Sequence, residues 1–260
     1  MRNGRVPEDY DMSHLLAAGA GCEAVNNNQL DRVQEFLHKH NCNVRFTVGY
    51  GSSEGGSNLT FQMAPKSVHN GNVGIPMPLN DMGVFKPGTQ EELGYNEMGE
   101  ICTVGPGNML GYDRRSATAK TLQRHADGKI WLHTGDIGYV DEDGVFYVLN
   151  RGAAFRYGGG ELAVLPMENR LADAKIKGIK DEFFVLIEDE DHDGYFVPYL
   201  YVVLEDGYKV DDIIKDVQSC LEPYMFPVEI LAIDERPFFH FKTNRIELSK
   251  ELKKKSSIAE

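Results

Sequence analysis

The sequence predicts an α/β region followed by a smaller α+β region. Three observations predict this. Near the start, an apolar strand, a glycine-bearing turn and a helix-spaced stretch follow one another between Leu15 and His40. In the middle, short β-branched and aromatic runs alternate with glycine- and proline-rich turns as far as Arg151. Beyond Gly160 the order becomes helix, strand, strand, helix, strand. At 260 residues the chain has ample length to bury a core, as one large domain or two smaller ones.

Each element has its own signal. Leu15-Leu16-Ala17-Ala18 reads as a short buried strand, and Gly19-Ala20-Gly21-Cys22-Glu23 as a turn where a flat ligand can approach the backbone. Leu30, Val33, Phe36 and Leu37 put one apolar face on a helix over 28–40. Val44 to Val48 is a strand, and Gly49 to Gly56 a glycine-rich loop. The proline-punctuated run Val73 to Leu79 suits an edge strand. Met82 to Lys86 and Glu100 to Val104 are further strands, separated by the loop Gly94 to Gly99. Gly107 to Tyr112 turns the chain into a short helix from Ser116 to Leu122. Asp141-Glu142-Asp143-Gly144 supplies the turn of a hairpin whose second strand is Val145 to Leu149. After Gly160, Met167 to Ala174 and Val210 to Leu221 are helical; Glu182 to Glu188, Tyr195 to Leu204 and Pro227 to Ile233 are strands. The acidic stretch Asp189 to Gly194 lacks the alternating ligands and distal Glu of a calcium loop, so it reads as a turn.

Composition narrows the function classes. Apolar residues are 42% and charged residues 26%, ordinary for a folded globular chain. A formal net charge of -13 repels nucleic-acid backbones and anionic membranes, and Lys253-Lys254-Lys255 reads as a solvated tail. Cys22, Cys42, Cys102 and Cys220 show no metal-ligand spacing and read as free thiols of a reducing compartment. No apolar run approaches the roughly 18 residues of a membrane span. The first residues lack the apolar middle of a signal peptide, so a cytoplasmic location is expected.

Three places carry candidate chemistry. Thr134-Gly135-Asp136 joins a small residue, a flexible backbone and a carboxylate able to accept two hydrogen bonds from a vicinal diol such as a ribose. A turn or cap role is the plainer alternative. Ser52, Ser53 and Glu54 offer hydroxyls for phosphate oxygen and a hard oxygen ligand for Mg²⁺, or else simply make a turn. Arg151 follows the hairpin with five donors that can bridge ribose hydroxyls or a phosphate, or stands as a surface arginine.

Gly99-Glu100-Ile101, Met109-Leu110-Gly111-Tyr112 and His133-Thr134-Gly135-Asp136 occur in an order and spacing that resembles the adenylate-forming (AMP-dependent) acyl-CoA synthetase family, in its C-terminal half. The resemblance runs from about Asp11 to about Leu252. It implies the end of a large AMP-binding domain over 1–151, with a small β-barrel over about 73–150, then a small α+β lid over 152–255 and a tail over 256–260. It also implies activation of a carboxylic acid, fatty or aryl, with MgATP to an acyl-adenylate, followed by transfer to CoA. By the same resemblance Gly21, Cys22 and Glu23 lie against the adenine and Tyr50 stacks near it. Tyr50-Gly51-Ser52-Ser53-Glu54 matches the family's Tyr-Gly-x-Thr-Glu loop. Ser53 there would contact the α-phosphate and Glu54 would hold magnesium. Asp136 and Arg151 would hold the ribose, with Arg151 also marking the start of a mobile domain, and Glu100 is expected to be structural.

The sequence departs from the family at three points. Ala153 stands at the hinge and Tyr157 near a usual lysine, followed by Gly158-Gly159-Gly160. Arg245 takes the place of the lysine that bridges carboxylate and phosphate, with Lys242 as a nearby substitute. The Ser/Thr/Gly-rich loop ending in Pro-Lys does not occur, so a first half is expected from elsewhere: from a longer protein, from a partner polypeptide, or lost in a gene remnant. Two alternatives follow: a non-catalytic nucleotide-binding remnant, or an adenylation partner that loads a carrier protein.

Overall fold

The computed structural model describes residues 6–21, 23–62, 67–239 and 242–256. The chain divides into two compact units, Met1–Val148 and Leu149–Glu260. They take the α/β and α+β forms that the sequence predicts.

In the first unit, β1 (Ala18–Ala20) pairs in parallel with β2 (Phe46–Val48), and α1 (Asn27–Lys39) connects them. The strand starts three residues later than expected from Leu15, and Leu16 is 95% exposed. The preceding backbone is used otherwise: Leu15 N–H donates to the Met12 carbonyl and Met12 N–H to that of His40. Asn26 caps α1 reciprocally, its side chain accepting from Gln29 N–H while the Gln29 side chain accepts from Asn26 N–H. Leu30 and Leu37 are the helix residues fully in the core. After β2 the chain makes a small hairpin of β3 (Gly51–Ser52) and β4 (Ser57–Asn58).

The rest of this unit is a seven-stranded sheet. Its strands are β5 (Thr60–Phe61), β6 (Asn72–Pro76), β7 (Asp81–Phe85), β8 (Gly99–Val104), β9 (Leu122–Arg124), β10 (Ile130–Val140) and β11 (Phe146–Arg151), with α2 (Arg115–Thr121) before β9. The order is β5-β6-β11-β10-β8-β7, and β9 pairs with β10. The edge position expected for Val73 to Leu79 is corrected here: β6 lies between β5 and β11. Its Pro76 is the strand's last residue, where a missing N–H costs the ladder least. Leu59, Val73, Val84, Ile101 and Phe146 pack with Leu30, Val48 and Tyr50 into one core. Each such side chain contributes roughly 1.5–3 kcal/mol through burial. Phe85, Cys102 and Trp131 form a second, smaller cluster.

The second unit contains α3 (Val164–Ala174), β12 (Ile179–Glu188), β13 (Phe196–Leu204), α4 (Val210–Cys220), β14 (Glu229–Ala232), the short pair β15 (Phe238–Phe239) and β16 (Lys242–Thr243), and α5 (Arg245–Ser256). β12 and β13 are antiparallel; β14 runs parallel to β13, with α4 as the crossover. Strand alternation divides the core. Phe184, Leu200 and Val202 pack with Met167, Leu171, Ile213 and Val217, while Phe183, Val185 and Tyr201 pack with Leu248 and Leu252. Two expectations change. α3 begins at Val164, because Pro166 sits in its first turn, where its missing N–H would have no helical partner anyway. The basic tail lies on α5, whose Lys253 pairs with Glu188 at 3.6 Å. Among the described residues, no helix is long and apolar enough to cross a membrane.

Candidate functional site

Asp136 lies within β10 rather than in the turn before a hairpin. His133 pairs with Cys102 and Ile137 with Glu100, so four steps along β10 span two along β8. The surplus bulges out at Thr134-Gly135-Asp136, and Gly135 takes φ 74°, a left-handed backbone that glycine adopts without strain. Side-chain oxygens take up N–H groups that the bulge removes from the ladder. Thr134 Oγ1 donates to the Ile101 carbonyl at 2.6 Å and accepts from Asp136 N–H at 3.1 Å. The Asp136 carboxylate is 8% exposed as a residue and accepts from the Tyr50 hydroxyl at 2.6 Å.

That bond joins the bulge to the glycine-rich loop. Tyr50 N–H donates to Thr60 Oγ1 at 3.1 Å, and Gly49 N–H donates to the Ala20 carbonyl at 3.0 Å. A side chain at Gly21 would lie 3.2 Å from the Gly49 carbonyl. The two glycine turns are therefore neighbours by close backbone approach. Gly51 is required where it stands, since a Cβ there would come within 2.0 Å of the Ser57 carbonyl. The Tyr50 ring, expected beside an adenine, is buried in the core, so it reaches the bulge through its hydroxyl. Ser53 is exposed at the tip, and half-buried Glu54 accepts from the Tyr112 hydroxyl at 2.7 Å. Met109 N–H donates to the Glu54 carbonyl at 2.7 Å, which ties this loop to the Met109–Tyr112 segment. Gly21 is exposed and Glu23 half-buried; Cys22 lies outside the described residues.

Beneath the bulge is a buried polar chain that sequence reasoning missed. Glu100 Oε1 accepts from Gly135 N–H at 2.9 Å, and Glu100 Oε2 accepts from His133 Nδ1 at 2.9 Å. His133 Nε2 faces His125 Nε2 at 2.9 Å, so one imidazole donates and the other accepts. Burial alone would raise the Glu100 carboxyl, but the hydrogen bond and charge of His133 and the Gly135 N–H hold it below its ordinary value. Burial, then His133, pushes the His125 imidazole down. Glu100, Cys102 and His133 each place one metal-ligating atom within 4.8 Å of the others. Both Glu100 oxygens and both His133 nitrogens are already hydrogen-bonded, and burial followed by Glu100 pushes the Cys102 thiol up, away from the thiolate a metal binds. The cluster is a hydrogen-bonded relay. Its one sequence signal was parity: Glu100 and Cys102 alternate onto one face of β8.

The remaining nominated residues belong to the second unit. Arg151 ends β11 and is exposed. Lys242 is exposed on β16. Arg245, the first residue of α5, is committed to packing: its Nε donates to the Phe184 carbonyl at 3.0 Å and its Nη2 meets Glu168 at 2.8 Å. Near the expected hinge, Tyr157 stacks on His192 with ring centroids 3.6 Å apart.

The profile of the family described as AMP-binding enzyme matches residues 1–113. A 4-coumarate–CoA ligase 2 of Nicotiana tabacum is 30% identical over 219 residues, which are 82% of this chain and 38% of that protein. A 4-coumarate–CoA ligase 1 of Glycine max is 30% identical over 211 residues, covering 76% of this chain and 66% of the relative. This chain thus spans only part of the relatives it matches. Among solved structures, ATP-bound MatB from Rhodopseudomonas palustris superimposes with TM-score 0.79 at 21% identity, over 96% of this chain and 48% of that one. MenE from Bacillus subtilis, in complex with ATP and magnesium ion, gives TM-score 0.62 at 25% identity over 84% of this chain and 43% of its own. Motif order, fold and these likenesses agree, and the chain belongs to the adenylate-forming ligase family.

Proposed function

We propose that this chain supplies part of the nucleotide site of an AMP-forming acid–CoA ligase that activates an aryl or fatty acid. The observation that carries this reading is the Tyr50–Asp136 hydrogen bond of 2.6 Å, which fixes a carboxylate in a strand bulge beside two glycine turns. A fixed carboxylate has several lone pairs for a ribose diol, and glycine turns admit a flat base to the backbone. Gly21 and Glu23 flank the adenine. Gly51 keeps the loop tight so that Ser53 donates to the α-phosphate.

Magnesium fits Glu54: the carboxylate is half-buried and oriented by Tyr112, and Mg²⁺ takes few protein ligands besides water and phosphate. When bound, the ion offsets charge on the phosphates. The likeness to 4-coumarate–CoA ligases supports an aryl acid as the acyl substrate and CoA as the acceptor. A missing first half, or a carrier protein in place of CoA, remains within this reading as a partner. We assign the work to the cytoplasm. We take 1–151 as the AMP-binding part, which keeps β11 whole with its sheet although the compact units part after Val148, and 152–255 as the lid.

One observation favours a second reading, a nucleotide-binding piece without turnover. Arg245 is held by Glu168, so reaching a reacting oxygen costs it a charged hydrogen bond. Calorimetric titration of the full chain with AMP tests the first reading. Asp136→Ala is expected to weaken binding at least about tenfold, and unchanged affinity overturns the ribose role. Exchange of labelled pyrophosphate into ATP with 4-coumarate separates turnover from binding alone.

A further inference from the structure

We propose that Glu100 is a positioning residue for Asp136, and that the His125–His133 pair governs how firmly Glu100 is held. This rests on the nucleotide-binding reading above. The bulge at Thr134-Gly135-Asp136 forfeits its ladder bonds to β8, so its backbone needs other partners to hold one shape. Glu100 provides the central one. One oxygen fixes Gly135 N–H, the residue whose left-handed φ makes the bulge, and the other fixes His133 Nδ1 directly before it. A single carboxylate therefore clamps both sides of Thr134, whose hydroxyl in turn accepts from Asp136 N–H.

The clamp has a far end. His133 is gripped at Nε2 by His125, and His125 is walled in by Trp131 at 5.6 Å and by the edge contact of Phe85 at 4.9 Å. The titratable groups facing this pair are Glu100 and Cys102 from β8, Glu92 from the segment before it, and Asp127 from the turn after β9. An Nε2···Nε2 hydrogen bond needs one bare nitrogen, so the pair accepts one extra proton and a second breaks the bond. A second proton thus frees the His133 ring from its His125 anchor, and the ring then follows Glu100 alone.

Proton counting also separates two substitutions that a purely structural role would not. In Glu100→Gln the amide oxygen still accepts from Gly135 N–H, while its NH₂ donates to a bare His133 Nδ1. His133 then carries its proton on Nε2 and donates to His125, so the chain survives with its direction reversed. Glu100→Ala loses both bonds.

The experiment uses the full chain, with adenosine as the probe because it keeps the ribose diol and lacks a titrating phosphate. Adenosine affinity is measured by calorimetry at about pH 7.5 and about pH 5.5, and Gly135 amide exchange by NMR without ligand. Glu100→Ala is expected to weaken adenosine about tenfold and to speed Gly135 exchange, while Glu100→Gln stays within about threefold of the parent. His125→Phe is expected to flatten the fall in affinity toward acid pH. Parent-like Gly135 protection in Glu100→Ala overturns the proposal. Should that variant not fold, a parent-like pH profile in both Glu100→Gln and His125→Phe overturns it instead. A parent chain that binds no adenosine sinks the nucleotide reading alone, since Gly135 exchange still decides whether the clamp exists.

Discussion

Asp136 and Glu168 are both buried carboxylates, one in each unit, and the structure employs them differently. Glu168 is 2% exposed, and one of its oxygens accepts from Phe184 N–H at 2.9 Å and from Arg245 at 2.8 Å. It fastens α3 to β12 and α5, and so ties together the two core clusters that β12 separates. Asp136 sits in a bulge, with Tyr50 on its carboxylate and a relay of other residues beneath its backbone. The difference teaches that burial alone does not mark a functional acid. A carboxylate whose partners all belong to regular elements is a staple; one carried on irregular backbone that other groups work to hold is a candidate for presentation to a ligand.

The largest test of this contrast is Glu168→Ala. It leaves a partly buried guanidinium and the Phe184 N–H without their shared acceptor, and should destabilise the second unit by about 3 kcal/mol. Urea unfolding checks it, with adenosine affinity of the first unit unchanged. A loss of affinity would break the division of labour. Next, Tyr50→Phe removes one donor from a buried carboxylate and should cost about 2 kcal/mol in the same assay, together with a measurable loss of adenosine affinity. Asn26→Ala removes the reciprocal cap of α1 and should cost about 1 kcal/mol without touching affinity, which sharpens the distinction between stability and presentation.

The smallest effect is the pH dependence of the first unit. Glu100 is depressed, so its contribution is present above its unfolded value and is lost as pH falls through the lower folded value. His125 is also depressed: the unfolded chain binds its proton first, so stability declines as pH drops below about 6.5. Both shifts make the first unit less stable in acid. Thermal midpoints of the parent should fall from neutral pH toward acid, and His125→Phe should remove the upper part of that fall.

How much was legible in the sequence differs along the same line. α1 could be read almost to the residue, because its apolar period is a local signal. β12, β13 and β14 were legible from composition for the same reason, while the two-residue strands β15 and β16 were too short to leave a pattern. α5 was not, since only Leu248 and Leu252 anchor an otherwise polar stretch whose partners on β12 and β13 are remote. Asp136 was legible as a motif, but its place in a bulge was not. The clamp joins residues 33 and 35 positions apart, and strand parity tells which face a side chain takes without naming what it meets there.

The two surplus residues in the bulge of β10 have a consequence for how this chain can change. An even surplus leaves His133 and Ile137 on the same side of the ladder, each opposite the residue it now pairs with. Deleting one residue between them would turn the rest of β10 to its other face and expose Ile137. Deleting two would restore a plain ladder, keep every facing, and remove the carboxylate's seat. Loss of the proposed ligand site is therefore a short edit in register with the sheet, and its gain is an equally short one.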